Sequence, residues 1–198
     1  MRINKAKKGS TMIELIVVGA LMAAASVFVL SQYITNRDYK AGVKEATLAN
    51  ELLNEALMLH PANSMIKPFL YPLSSSQETD RNDAIVREGF DSIPSTDIKI
   101  VLNKYFKNEI NAHKKAITFT PNGQFLGLST EVTSKDTCSG LISDIRSTSW
   151  QRITINGTTV QIQGAQAQDL ATLCSDNATE TYTYTLQYCY ETAALPCT

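Results

Sequence analysis

The sequence is poor in the residues that most often carry out catalysis or hold metal ions. It has two histidines, His60 and His113, and its four cysteines form no C-x-x-C pair, which argues against a zinc site. It also lacks a glycine-rich phosphate-binding loop and the local motifs of the common nucleophilic enzymes. We therefore expect no catalytic activity, no cofactor and no bound metal.

An excess of positive charge is also missing. The 18 basic and 19 acidic residues give a net charge of −1, so we expect no binding to nucleic acid. Four of the basic residues precede position 9 with no acidic residue among them, and without residues 1–9 the net charge becomes −5. A length of 198 residues allows one domain together with one extended element.

One long apolar run stands out near the N-terminus. Residues 15–30 contain neither a charge nor a proline, and a helix over residues 10–32 is long enough to cross the ~30 Å core of a bilayer. Glu14 lies at the start of this run. A carboxylate in an apolar membrane segment costs on the order of 2.5–3.5 kcal/mol, so its presence predicts a function and a cationic partner.

Three interpretations compete for this N-terminal region. A secretory signal peptide would be cleaved after the small residues 23–25, and a plain single-pass anchor would keep its basic flank inside. In the third, a leader is cleaved before the apolar run. Glu14 argues against the first because it interrupts the apolar core, and residues 27–30 argue against it because the run continues past the cleavage site. The plain anchor leaves Glu14 unexplained.

Gly9 followed by Ser10, with Glu14 the fifth residue after that bond and an apolar helix beyond, resembles the type IV pilin family. The resemblance implies that residues 1–9 are a prepilin leader cleaved after Gly9 by a prepilin peptidase. It also implies that Ser10 becomes an N-methylated terminus. Glu14 would then pair with the terminal amine of a neighbouring copy during filament assembly.

The N-terminal helix is predicted to extend to residue 60, just before Pro61. After residue 31 its pattern becomes amphipathic, and the expected buried face is formed by Tyr39, Val43, Ala46, Leu53 and Leu57, with Ala49 and Ala56 close to it. The charged residues expected to lie largely off this face include Arg37, Asp38, Lys40, Lys44, Glu45 and Glu51.

Residues 61–198 are predicted to form a globular head. Residues 61–115 are an irregular αβ-loop with a helix over 97–106, capped by Thr96 and burying Ile98, Ile100, Val101, Leu102 and Tyr105. Residues 116–198 contain the sheet. The predicted elements are hairpins over 116–128, with its turn at 121–123, and over 150–162, with its turn at Asn156-Gly157, short helices at 138–147 and 168–174, and a final strand at 181–190. The glycosylation sequon at Asn156 is explained by this turn alone.

The predicted fold class is α+β, a long N-terminal helix packed on an antiparallel sheet, as in the αβ-roll of type IV pilins. Beyond a membrane segment, four cysteines predict two disulfides in an oxidising compartment, and three connectivities are possible. The cysteine-bounded region 138–174 is similar to that of the type IVb branch, which includes the toxin-coregulated and conjugative thin-pilus pilins. The resemblance implies a Cys138–Cys174 bridge and leaves Cys189 to pair with Cys197.

The resemblance implies a structural subunit, the major pilin, of a type IVb pilus used for adhesion, aggregation or conjugation. Its partners would be further copies of itself and the pilus assembly machinery. It would reside in the bacterial inner membrane before assembly and in an extracellular filament afterwards. The alternatives are a minor pilin or secretion pseudopilin, and a membrane-anchored binding domain.

Overall fold

The computed structural model describes residues 8–59, 89–175 and 181–190. The helices in these ranges are α1 (Lys8–Leu59), α2 (Ser95–Tyr105), α3 (Lys135–Ile145) and α4 (Ala167–Thr172). The strands are β1 (Thr118–Asn122), β2 (Phe125–Val132), β3 (Arg152–Ile155), β4 (Thr158–Gln161) and β5 (Tyr182–Cys189). Short 3-10 helices lie at Gly89–Ser92 and Lys107–Glu109.

The chain divides into two compact units, one ending at Arg37 and the other beginning at Asp38. The described part of the first unit is the N-terminal part of α1. The second unit, which we call the head, contains the rest of α1 and all other described elements.

The head contains a five-stranded antiparallel sheet in the order β1-β2-β5-β3-β4. The last strand in sequence, β5, lies in the middle and pairs with both β2 and β3. One face of the sheet and the head portion of α1 contribute to a single apolar core. This is an α+β arrangement with the N-terminal helix packed on the sheet, which confirms the predicted fold class.

Both predicted hairpins are present. In the second one, Asn156 and Gly157 connect β3 to β4 with φ values of 49° and 86°, the left-handed conformation that an Asn-Gly turn of this kind requires. In the first hairpin, Asn122 pairs with Phe125, so the connecting residues are Gly123 and Gln124. The predicted turn at 121–123 is therefore displaced. Pro121 lies within β1, which is tolerated because β1 is an edge strand.

Helix α2 begins one residue before its predicted cap, so the prediction of Thr96 as N-cap is wrong. Ile98, Val101 and Leu102 are buried as predicted, whereas Ile100 is 68% exposed. Ile100 lies two residues from Ile98 and from Leu102, and a separation of two residues points to different faces of a helix. Helices α3 and α4 and strand β5 lie close to the predicted positions.

Some predictions fall outside the described residues. These are the leader residues 1–7, the end of the first helix at His60, most of the irregular connection after it, and the final segment with Cys197.

Candidate assembly site

The N-terminal part of α1 exposes its apolar side chains. The large apolar residues whose side chains the structure describes in this part are between 41% and 74% exposed, namely Met12, Leu15, Ile16, Val17, Val18, Leu21, Met22, Val27, Phe28, Val29, Leu30, Tyr33 and Ile34. Runs such as 15–18 cover a full helical turn, so no side of the segment is polar. The apolar window has a mean hydropathy of 2.2, and by length and composition the segment could cross a membrane. A helix that is apolar all round requires lipid or other apolar surface around it.

The three residues that the resemblance singled out lie together at the start of α1. Gly9 and Ser10 are helical, and Glu14 follows one turn later with an exposed side chain. Four residues of helix separate Ser10 from Glu14, a rise of ~6 Å. The carboxylate is therefore placed at one end of the apolar surface.

The head portion of α1 is held by a stripe of small and aliphatic side chains. Ala46, Ala49, Leu53 and Ala56 are fully buried, as predicted. Leu52 is equally buried and was not predicted, whereas Tyr39 is 41% exposed although it was assigned to the buried face. The buried face of α1 is thus shifted from the predicted one, toward the side of the helix that carries Glu45.

Glu45 is only 2% exposed, so the prediction that it lies off the buried face is wrong. Its Oε1 accepts hydrogen bonds from the Tyr184 hydroxyl at 2.7 Å and from Asn111 Nδ2 at 3.3 Å. Burial raises the pKa of the Glu45 carboxyl above its usual value, and the two hydrogen bonds act in the opposite direction. The pKa of Tyr184 is also raised, mainly because its hydroxyl is buried and secondly because the charge of Glu45 is close to it.

Asn111 extends this polar cluster into the head. Its Nδ2 also donates to the Glu131 carbonyl at 2.6 Å and to Thr130 Oγ1 at 3.1 Å, and its Oδ1 accepts from two backbone N–H groups. The cluster ties α1 to β5, to β2 and to the loop before β1. No sequence signal distinguishes Glu45 from the other charges of α1, because its partners are distant in sequence.

Close contact between α1 and α3 depends on two glycines. A Cβ atom at Gly42 would lie 2.7 Å from the Leu141 backbone nitrogen, and one at Gly140 would lie 2.9 Å from the Tyr39 carbonyl carbon. Real Cβ atoms essentially never approach other atoms so closely. The two helix backbones therefore pack directly on each other at this point, and Tyr39 Oη donates to Ser143 Oγ at 2.8 Å beside it.

A disulfide joins Cys138 and Cys174, with 5.8 Å between the Cα atoms, as the resemblance implied. Cys138 lies within α3, and Cys174 follows α4, so the bridge connects the two short helices that flank the β3–β4 hairpin. Cys189 is also disulfide-bonded, and its predicted partner, Cys197, lies outside the described residues.

The described parts of the chain contain no group of three or more His, Cys, Asp or Glu side chains able to hold a metal ion. The features that stand out are the exposed apolar helix with Glu14 at its start and the disulfide-bonded head. Comparison of the chain with models of protein families and with curated protein sequences finds no match.

Proposed function

We propose that this chain is a structural subunit, the major pilin, of a type IVb pilus. The observation that carries the proposal is the N-terminal part of α1, whose described apolar side chains are exposed and which has one carboxylate at its start, in a chain that also contains a folded, disulfide-bonded head. Lipid covers the apolar segment before assembly, and copies of the same segment cover it in the filament.

The position of Glu14 supports this proposal. When copies pack their apolar segments together, the Glu14 carboxylate leaves water, and an unpaired buried charge is very costly. Cleavage after Gly9 creates an amine at Ser10, ~6 Å along the helix from Glu14. A neighbouring copy displaced along the helix axis by about this distance brings its amine to the carboxylate. The pair then neutralises both charges and favours one axial offset between subunits.

The head supports an extracytoplasmic location. Disulfides persist mainly in oxidising compartments, and the Cys138–Cys174 bridge encloses a segment with a sequence separation of 36. The prepilin peptidase, the assembly machinery, the inner membrane and other copies of the chain are the partners of the proposed subunit.

Substitution of Glu14 by valine tests the proposal. Glu14→Val leaves the terminal amine of each neighbour without its partner, and breaking a buried pair costs ~3–5 kcal/mol, repeated at every junction. We expect the variant to be processed, to keep its disulfides and to accumulate in the inner membrane without forming pili. Electron microscopy of the cells and an immunoblot of the membrane fraction measure the two results.

The matched control is Glu51→Val, which removes a carboxylate from an exposed position of the same helix within the head. This variant is expected to form normal pili. Abundant normal pili from Glu14→Val would contradict a role for the carboxylate in assembly. In a mixture with wild-type chain, Glu14→Val subunits are expected to enter filaments, because intact junctions on both sides carry the defect.

Mass spectrometry of filaments sheared from the cell surface tests whether the chain is the major subunit. The chain is expected to be the most abundant protein in this fraction. Traces would instead indicate a minor pilin or pseudopilin, and complete absence would indicate a membrane-anchored binding domain.

A further inference from the structure

The outer face of the sheet carries a row of hydroxyl groups that crosses every strand. The strand register aligns Thr118 of β1 with Ser129, Ser129 with Thr185, Thr185 with Thr154, and Thr154 with Thr159 of β4. Directly paired residues of antiparallel strands project from the same face. These five side chains, the hydroxyl row, are all partly or fully exposed. Strand preference explains each threonine singly, but it does not explain their alignment.

Hydrogen bonds between neighbours in the hydroxyl row fix the orientation of four of its members. The Ser129 and Thr185 hydroxyl oxygens are 2.7 Å apart, and those of Thr154 and Thr159 are 2.8 Å apart. A hydroxyl has one donor and two acceptor positions, so each such pair retains about one donor and three acceptor positions for another molecule. The row therefore presents oriented donors and acceptors at the strand spacing of ~4.8 Å.

The adjacent row on the same face adds compatible groups. It contains Gln187, Arg152 and Gln161 in register, together with Gly127, where no side chain covers the backbone. On the other side of the hydroxyl row, the charge of Glu131 is balanced by Lys115, with 3.1 Å between Oε2 and Nζ. The face thus combines hydroxyls, amides and the single guanidinium group of Arg152.

This composition indicates what kind of molecule would bind. The cores of protein interfaces are apolar and enriched in aromatic residues. The hydroxyl row contains no aromatic residue, so it does not resemble the core of a protein interface. Nucleic acid requires several cations, and the two rows contain only Arg152. An uncharged partner with many hydroxyl groups meets the available donors and acceptors without bringing a further charge to the face.

We propose that the hydroxyl row binds a linear, uncharged polysaccharide that lies across the five strands. The row spans four strand spacings, ~19 Å, which is long enough for a short run of sugar units. The head supplies this face by itself, so the proposal does not depend on filament assembly.

Nuclear magnetic resonance of the isotope-labelled full-length chain tests the proposal. The chain is kept in a phosphocholine detergent, because detergents with sugar head groups would compete. Maltohexaose, cellohexaose and xylohexaose are titrated separately. We expect at least one of them to shift the amide signals of Thr118, Ser129, Thr154, Thr159 and Thr185, with little change elsewhere in the head.

The decisive variant replaces the four threonines of the row, at positions 118, 154, 159 and 185, by valine. Valine keeps the branched shape and removes the hydroxyl, and the expected loss of affinity is at least ~10-fold. If the fourfold variant does not give the spectrum of a folded head, the double variant Thr154→Val/Thr185→Val is used and is expected to weaken binding in the same direction. The matched control is Thr183→Val, which lies on the same face outside both rows, opposite Glu131, and is expected to bind as wild type does.

Three results would overturn the proposal. The first is that none of the three oligosaccharides shifts the row. The second is that the valine variants bind an oligosaccharide as tightly as wild type. The third is that signals of the row shift with protein concentration in the absence of sugar, which would identify the face as a contact between copies of the chain.

Discussion

At the scale of single residues, the buried carboxyl of Glu45 connects α1 to two distant parts of the head. Its partners are Tyr184 in β5 and Asn111 before β1. Burial raises the pKa of Glu45 in the folded protein, so the folded state holds this proton more tightly than the unfolded chain does. Such a difference makes the free energy of unfolding depend on pH.

The sign of this dependence follows from the raised pKa. Below the unfolded pKa of Glu45 the carboxyl is neutral in both states and contributes no penalty. As the pH rises through the folded pKa, the folded protein must ionise a buried group, and its stability falls. We expect Glu45→Gln to abolish this contribution, so that the stability of the variant relative to wild type increases from acidic to alkaline pH.

Urea denaturation of both proteins at several pH values below the range in which Tyr184 titrates measures this difference, in which the titration of groups that are not coupled to Glu45 cancels. Glu51→Gln serves as the control for the loss of a carboxylate, because Glu51 is exposed on the same helix. A pH-independent difference between Glu45→Gln and wild type would show that the buried carboxyl has no folding-linked titration.

Gly42 sets the distance between α1 and α3, and a methyl group there has no space. Overpacking of this kind costs ~1–3 kcal/mol, and the contact with rigid backbone places Gly42→Ala at the upper end. The higher helix propensity of alanine recovers at most ~1 kcal/mol. We expect a net loss of head stability, measured by thermal unfolding. Gly19→Ala is the control, because no atom lies within 4 Å of the added Cβ, and an unchanged melting temperature for Gly42→Ala would contradict the close packing.

At the scale of elements, the parts of the fold that depend on local chemistry could be predicted from the sequence. Asn156-Gly157 specifies its turn because few other residues adopt its backbone conformation, and the alternation of Thr and Tyr specifies β5. Pro121 was misassigned to a turn because its tolerance depends on β1 being an edge strand, which only the strand order reveals.

Features that depend on long-range contacts could not be predicted. Glu45 looks like any other surface charge of α1 until Asn111 and Tyr184 are placed beside it. The hydroxyl row requires the register of four strand pairs, which joins residues as distant in sequence as Thr118 and Thr159. The apolar run and Glu14 of the candidate assembly site could be recognised from the sequence, because Glu14 directly precedes the run.

The Cys138–Cys174 disulfide affects the two helices that it joins unequally. Helix α3 buries Leu141, Ile142 and Ile145 and packs against α1, whereas α4 has six residues and buries only Leu170. We expect the double variant Cys138→Ala/Cys174→Ala to lose ~2–5 kcal/mol of head stability. Hydrogen exchange should show faster exchange mainly in α4, while α3 keeps its protection.

Reduction of the wild-type protein under native conditions is a second test of this prediction, since it opens the bridge while both sulfur atoms stay in place. Reduction also opens the disulfide of Cys189, so the comparison is restricted to the exchange rates of α3 and α4. Equal loss of protection from hydrogen exchange in α3 and α4 would contradict the expectation that the bridge mainly stabilises α4. Unchanged urea stability of the double variant would show that the packing of the helices holds the region without the disulfide.

At the scale of the whole molecule, the chain combines two units with opposite solvent requirements. The head carries its own apolar core, and the N-terminal segment has no buried apolar side chain among its described residues. The basic residues are also unevenly distributed along the chain, because residues 1–9 contain four of the 18. Cleavage of the proposed leader would change the net charge from −1 to −5 and would remove this positive flank, which under the positive-inside rule favours a cytoplasmic N-terminus.

Processing at Gly9 is the event that would convert a membrane protein into an assembly subunit, because it releases the amine that Glu14 requires. We expect the mature chain to begin at a methylated Ser10, as measured by intact mass. Replacement of Gly9 by valine is expected to leave the leader attached, so that full-length chain accumulates in the inner membrane and no pili form. Gly19→Ala, within the apolar run, is the control and is expected to be processed normally. A mature chain that begins at Ser26 would instead show cleavage of a secretory signal after Ala25, and wild-type chain that retains Met1 would show a plain membrane anchor.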